Sequence, residues 1–315
     1  MKQITFSSIA YTHKKVTTKR EAFLNEMERV VPWSRLLKLI EPYYPKAGNG
    51  RPPMPMETML RIYFLQQWYS LSDPAAEEAL YDIESMRRFA QLELLDDAIP
   101  DETTILKFRH MIERHALSEA IFADINNYLV EKGIQVSQGS MVDATIIQAA
   151  SSTKNKDKKR DAEMHSTRKN NQYYFGMKIH IGTDVNSNAI HSATITPANT
   201  ADITELPKLL RERDRVVFAD AGYTSDSYKK GARALGMSWK VNDKRKVGKE
   251  MSASQKKQNK KNSSVRARIE HCFRVIKCQF GYQKARYKGL KKNRVQVFTL
   301  LGLVNLYMLR GRLAG

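Results

Sequence analysis

Apolar positions recur three and four residues apart through most of the first 136 residues. That is the period of helices packed on a core. Phe23, Met27, Val30, Val31, Leu36 and Leu37 predict a helix over 21–40, and Met59, Leu60, Tyr63 and Phe64 predict another over 56–69. A connector rich in Pro and Gly separates them. Asp73-Pro74 is a start signal, with Asp as cap and Pro at the first position, for a helix running to about 94. Pro100-Asp101 opens a further helix, carrying Thr103, Ile105, Phe108, Met111 and Ile112. Residues 117–131 form one more before Gly133 closes this all-helical region.

The pattern then changes. Residues 140–147, SMVDATII, are β-branched and apolar and predict a strand. A polar stretch at 151–171 follows. Strands are predicted at 173–183 and 189–196, joined by a hairpin turn over 184–188. Helix 202–212, strand 215–220, helix 225–235 and strand 237–241 complete an alternation. Antiparallel strands from the hairpin and later strands reached through helices make an α/β domain with a mixed sheet of five strands. The lysine-rich stretch 242–262 is of low complexity and is expected to be mobile in isolation. After it, apolar residues at 265, 269, 272, 273, 276 and 280 predict one helix over 263–280. Residues 295–309 predict a buried C-terminal helix, too short and too often interrupted by polar residues to cross a membrane. The expected division is a helical N-terminal domain at 1–136 and an α/β domain at 137–315. Residues 1–20 read as a loose basic arm.

Charge narrows the partner. The formal net charge is +20, but 1–136 hold 17 Lys/Arg against 19 Asp/Glu, so the whole excess lies in the second region. That is the footprint of a polyanion, with nucleic acid favoured over a membrane because no basic amphipathic helix has an aromatic face. The N-terminus has no signal-peptide core. Cys272 and Cys278 cannot make a disulfide framework or a zinc site, and both are expected to be free core thiols in a reducing cytoplasm.

Three acidic residues stand out against that charge. Asp143 lies inside a strand, Asp220 ends one just before Ala221-Gly222, and Glu270 shares a helical stripe with Arg266, Arg274 and Lys277. Aspartate is a poor strand former, so a strand position needs a reason. Oxygen ligands with few nitrogens suit Mg²⁺, and a pair of such ions can serve both sides of a phosphodiester exchange. The cations on the stripe would then face phosphate. Plain alternatives remain for each residue: a turn cap for Asp220, a solvent-facing strand position for Asp143, a salt-bridge ladder for Glu270. Lys178 is a weaker phosphate candidate. Lys244, Arg245, Lys256 and Lys257 in the lysine-rich stretch are expected to grip DNA without sequence choice. His180 and His191 read as structural. His271 could touch DNA or cap a packing contact. The helix from Asp101, with Thr103, Thr104, Lys107 and Arg109, either contacts bases or packs on the core.

Several segments resemble one family. VDAT at 142–145, FGMKIHIGTD at 175–184, ADAGY at 219–223 and RARIEHCFRVIKCQFG at 266–281 resemble the bacterial transposases of the "insertion sequence five" family, as do PMETMLRIYFLQQWYSLSD and IPDETTILKFRH upstream. The resemblance covers nearly the whole chain. It implies a ribonuclease-H-like catalytic domain with a DDE triad at Asp143, Asp220 and Glu270. A related transposase signature, Tyr, two residues, Arg, three residues, Glu, six residues, Lys, falls on Arg266, Glu270 and Lys277, with Ser263 in place of the tyrosine; the family is related to the "insertion sequence four" group. The implied activity is metal-dependent cleavage at insertion-sequence ends and transfer of the 3′-hydroxyl strand into target DNA. Two Mg²⁺ ions are implied, with Mn²⁺ able to substitute. So are DNA as partner, at least a homodimer, and a place at the nucleoid of a bacterial cytoplasm. The rival readings are a nuclease or integrase using the same triad, and a catalytically silent DNA-binding regulator derived from such an enzyme.

Overall fold

The computed structural model describes residues 11, 13–50, 52–245, 248 and 250–314. Most of the arm at 1–20 and part of the lysine-rich stretch therefore lie outside the described residues.

The N-terminal region is helical, as its periodicity requires, but two of the expected helices are broken. Residues 21–40 form α1 (Lys19–Val30) and α2 (Trp33–Ile40), because Val31 takes an extended conformation ahead of Pro32. Residues 73–94 form α4 (Asp73–Asp82) and α5 (Glu84–Phe89), divided at Ile83, which is extended at φ −112° and ψ 97°. Between the two pairs lies α3 (Met56–Tyr69). The cap of α4 is Ser72, whose hydroxyl accepts from Ala75 N. That releases the Asp73 carboxylate to pair with Arg109 at 2.7 Å. Asp101 caps α6 (Glu102–Arg114), and α7 (Leu117–Glu131) has the expected bounds.

The sheet has six strands among the described residues, one more than expected: β1 (Gly139–Gln148), β2 (His165–Lys169), β3 (Gln172–Asp184), β4 (Ile190–Pro197), β5 (Val216–Ala219) and β6 (Ser238–Val241). The extra strand, β2, lies in the polar stretch and lacks the apolar alternation that marks a half-buried strand. β1 pairs with β3 antiparallel and with β5 parallel. β5 pairs with β6 in parallel. β4 and β2 share the far edge of β3, each antiparallel to it. The spatial order β4-β3-β1-β5-β6, a three-stranded meander continued by two parallel strands, is the ribonuclease-H-like arrangement.

Alternation along β1 gives its two faces different neighbours. Met141 and Ile147 point into a core shared with Ile269, Cys272 and Ile276. Val142 points to the other side, among Leu206, Val217 and Tyr223. Helices α8 (Asp202–Leu209) and α9 (Asp226–Ala234) join the parallel strands.

Part of the lysine-rich stretch is helical, which its low complexity did not announce. Ser252 and Gln255 form a reciprocal capping box and start α10 (Ala253–Arg266). The single helix expected over 263–280 is instead three pieces. α10 tightens at Ala267 and Arg268, both still helical in φ and ψ, and continues as α11 (Ile269–Arg274), and a π-helical stretch follows over Val275–Gln279. The changed register buries Cys272 but leaves Cys278 exposed, so only one of the two cysteines is a core thiol. The last helix, α12 (Leu290–Leu313), is buried among the N-terminal helices as well as against β4. Asn305 ties it to both: it bonds the backbone N–H and carbonyl of Ile190, each at 2.7 Å, and Asn126 at 3.0 Å. One apolar core therefore runs from α1 to the sheet. No helix among the described residues is long and apolar enough to cross a membrane.

Candidate active site

Backbone register places the two aspartates. Met141 of β1 lies beside Phe218 of parallel β5. Two residues further on, Asp143 and Asp220 fall beside each other on adjacent strands, on the same sheet face, where strand spacing is about 4.8 Å. β5 ends at Ala219, so the two carboxylates stand at a notch where the strands part. Asp220 Oδ1 accepts from Gly222 N at 2.8 Å. A Cβ on Gly222 would come to 2.8 Å from that same oxygen, which is why glycine follows. Asp143 Oδ1 accepts from Ala144 N at 2.8 Å, and its Oδ2 pairs with Arg266 Nη1.

Burial dominates the electrostatics. The side chains of Asp143 and Arg266 are 17% and 18% exposed. Burial pushes Asp143 up, Asp220 adds to this, and Arg266, the Ala144 N–H and Lys169 oppose it, leaving its pKa at about 6. Arg266 is itself incompletely satisfied, since its buried Nε has no partner. Two neighbouring carboxylates, one of them paired with a guanidinium, form an all-oxygen donor set with a cation already beside it. Such a set fits a hard divalent ion, for which Arg266 is the stand-in. DDE transposase domains use divalent metal ions. Among the described residues, however, no three His, Cys, Asp or Glu side chains stand close enough to hold a metal together.

Glu270 lies one turn beyond Arg266 at the start of α11, exposed to solvent. Arg274 is also exposed. Lys277 is partly buried, and burial together with the nearby Lys169 holds its ammonium below the usual lysine range. Lys178 is elsewhere: it opposes Ile146, on the sheet face opposite Asp143, and donates to Asp202 and to the Thr200 carbonyl at 2.8 Å each. Lys244, Arg245, Lys256 and Lys257 are exposed, the last two on α10. His180 bonds Thr196 at 2.8 Å and His191 bonds Ser140 at 2.8 Å, both in the interior. Burial lowers them to about 4 and about 3, so both are neutral structural groups. His271 is exposed. In α6, Arg109 is tied to Asp73 and lies 4.8 Å from the Tyr287 ring centre. Thr103, Thr104 and Lys107 of that helix line a cleft of about 700 Å³ with Tyr43 and Met111.

Two neighbours of the aspartates were not picked out from sequence. Lys169, at the end of β2, is close enough for its charge to act on both Asp143 and Lys277. Tyr223, three residues after Asp220, is fully buried with an unpartnered hydroxyl, raised first by burial and then by Asp202, Asp143 and Asp220. Tyr223 lies in the quoted ADAGY segment, but nothing in the spacing says that its ring turns inward.

The family model described as Transposase DDE domain matches residues 135–306, and the one described as Transposase domain (DUF772) matches residues 11–111. Among solved structures, the chain is similar to a piggyBac transposase in a synaptic complex with hairpin DNA, at 9% identity and a TM-score of 0.49, over 92% of this chain and 73% of that one. The first match alone spans more than half of the 315 residues, so the chain belongs to the transposase DDE domain family, and it is a DNA transposase.

Proposed function

We propose that this transposase cuts DNA at the ends of an "insertion sequence five" element and joins the freed 3′-hydroxyl to target DNA, with Asp143, Asp220 and Glu270 as its acidic triad. The observation that carries this reading is the carboxylate pair on adjacent parallel strands, one member held near pH 6 and clamped by an arginine. Bound Mg²⁺ would supply Lewis-acid stabilisation of the phosphodiester and a more acidic attacking oxygen. Mn²⁺ would serve in its place. The chain's own part is positioning. Arg266 exchanges Asp143 for a DNA phosphate, which also satisfies its orphaned Nε and frees the carboxylate. Glu270, a turn away, completes the set as the tightened stretch at 267–268 adjusts. Arg274, Lys277, Lys244, Arg245, Lys256 and Lys257 hold the backbone, while Lys178, tied to Asp202 on the opposite sheet face, is not among them. Residues 1–136 would hold the element ends or a second copy, in a homodimer acting at the bacterial nucleoid.

The regulator reading has one observation in its favour: the triad is not gathered, with Glu270 exposed and Arg266 on Asp143. A duplex carrying the element's ends, incubated with the protein and Mg²⁺ or Mn²⁺, separates the two. Cleavage and strand transfer by the wild type, lost in Asp143→Asn, Asp220→Asn and Glu270→Gln, are expected. Cleavage that persists in Glu270→Gln removes Glu270 from the triad. End binding without cleavage under either metal leaves the regulator.

A further inference from the structure

The hairpin of β2 and the first residues of β3 is not explained by packing. Every residue from His165 to Tyr173 except Thr167 is exposed, on both faces of the ribbon. Tyr173 is 73% exposed. A two-stranded hairpin that buries nothing is marginal in water. This one is nevertheless fully laddered from His165↔Gly176 to Lys169↔Gln172, and closes through Asn170 and Asn171 at φ 49° and 62°, the two-residue turn that matches strand twist.

The composition of the ribbon is specific. Arg168, Lys169, Asn170, Asn171 and Gln172 are consecutive, and no Asp or Glu occurs between 164 and 174. Arg and Lys are the side chains that pair with guanine in the major groove, and Asn and Gln those that pair with adenine. That groove also admits a two-stranded ribbon. Arg168 is pre-ordered: it donates to Asn171 Oδ1 at 2.7 Å and lies 5.8 Å from the Tyr173 ring centre. Neither Arg168 nor Lys169 has a carboxylate partner among the described residues.

The ribbon also ends in the right place. Asp143 opposes Ile181 of β3. A straight β3 would carry Gln172 about 30 Å away along the strand at about 3.3 Å per residue. Yet Lys169, the cross-strand neighbour of Gln172, acts on both Asp143 and Lys277. The ribbon therefore stands on the side of the sheet where its charge reaches the Asp143 carboxylate and Lys277. Gly176, at its base, lets the strands approach closely, since a Cβ there would lie 2.1 Å from the Ile147 carbonyl oxygen.

We infer that the ribbon 165–174 enters the DNA major groove beside the cleavage point and reads base edges through Arg168, Asn170, Asn171 and Gln172. Lys169 meets the phosphates that lead to the carboxylates. The ribbon thereby adds sequence choice next to the chemistry, distinct from the unselective grip of α10.

This inference rests on the transposase reading, and the test separates the two. The full-length protein is used to select from a duplex library with a randomised central tract, without divalent metal, and the bound sequences are read. The wild type is expected to show base preferences that fall about tenfold at one or two positions in Arg168→Ala and in Gln172→Ala. Lys169→Ala should weaken all sequences alike and lower the salt slope by about one. Thermal melting of each variant should match the wild type, because the altered side chains bury nothing. Preferences that survive both Arg168→Ala and Gln172→Ala, a loss in those variants that is uniform across sequences, or a wild type that binds duplex without preference would each overturn the inference and leave the catalytic reading standing. A wild type that binds no DNA would overturn both.

Discussion

Two aspartates and an arginine meet twice on this sheet, and the two groups behave oppositely. Near the start of β1, Asp184 and Asp214 share Arg211, at 3.4 Å and 2.8 Å. Further along, Asp143 and Asp220 share a notch with Arg266. In the first group every partner is provided. Asp184 accepts from the backbone N–H of Ser137, Asn186 and Ser187 and from the hydroxyls of Ser137 and Ser187. Arg211 spends its remaining donors on the Ser137 and Gly139 carbonyls at 3.1 Å each. Burial pushes Asp184 up, but the Ser187 N–H, the Ser137 hydroxyl, the Asn186 N–H and Arg211 outweigh it and hold the carboxyl below its ordinary range. In the second group burial wins, Asp143 is raised to about 6, and Arg266 keeps an unpaired nitrogen. Identical residue types therefore make a finished strut in one place and an unfinished site in the other. The difference is hydrogen-bond saturation, and only an unsaturated carboxylate has lone pairs left for a metal.

The contrast can be broken most sharply by removing one charge from each group. Asp184→Asn should cost about 1–3 kcal/mol of stability in a denaturant titration, since an amide cannot accept from all of Ser137, Asn186 and Ser187 and leaves buried donors unpaired, even though Arg211 keeps Asp214. Asp143→Asn should leave stability unchanged or improved while reducing cleavage about a thousandfold. Equal stability losses would mean the notch is as structural as the strut.

Next in size is Arg266→Gln. Without the guanidinium, Asp143 loses its strongest opposing charge and should rise further. A divalent ion should then bind in the absence of DNA more tightly than in the wild type, measured as an Mn²⁺-dependent melting shift. Cleavage should still fall about a hundredfold, for want of the phosphate contact. A weaker Mn²⁺ shift in the variant would show that Arg266 helps to build the metal site and does not compete for it.

The smallest effect is in pH. The folded pKa of Asp143, about 6, lies above its ordinary 3.8, so the folded state binds the extra proton. Its contribution to stability is present below about pH 4 and is lost as pH rises through about 6, by at most about 2–3 kcal/mol. Mn²⁺ affinity should climb over the same window. Asp143→Asn should flatten both curves, whereas Asp184, shifted the other way, loses its contribution only as pH falls into the acid range. A wild-type curve as flat as that of the variant would place Asp143 in water.

Much of this was legible in the residues. The helical period set out the N-terminal region, and β-branched runs marked β1, β3, β4, β5 and β6. Asp143 and Asp220 were visible because aspartate is costly inside or at the end of a strand unless it has work there. Local signals failed where two of them competed. Asp73 was a plausible cap, but Ser72 takes that role and the Asp73 carboxylate goes to Arg109, 36 residues on. The lysine-rich stretch hid a helix whose capping box, Ser252 with Gln255, is itself a sequence motif. β2 was invisible because it is paired without being buried, and only burial writes a period-two pattern.

By itself, the amino-acid sequence determined which segments could be helix or strand, where the positive charge lies, and which three acids stand out from it. These are properties of neighbours along the chain, and composition and period encode them. Only the tertiary structure decided that Asp143 and Asp220 share one face, that Arg266 rather than Glu270 reaches Asp143 at rest, and that the charge of Lys169 acts on Asp143. Those outcomes depend on strand register, on the short break between α10 and α11 and on the close strand approach at Gly176. Each brings together residues far apart in the chain, and no local preference carries that information.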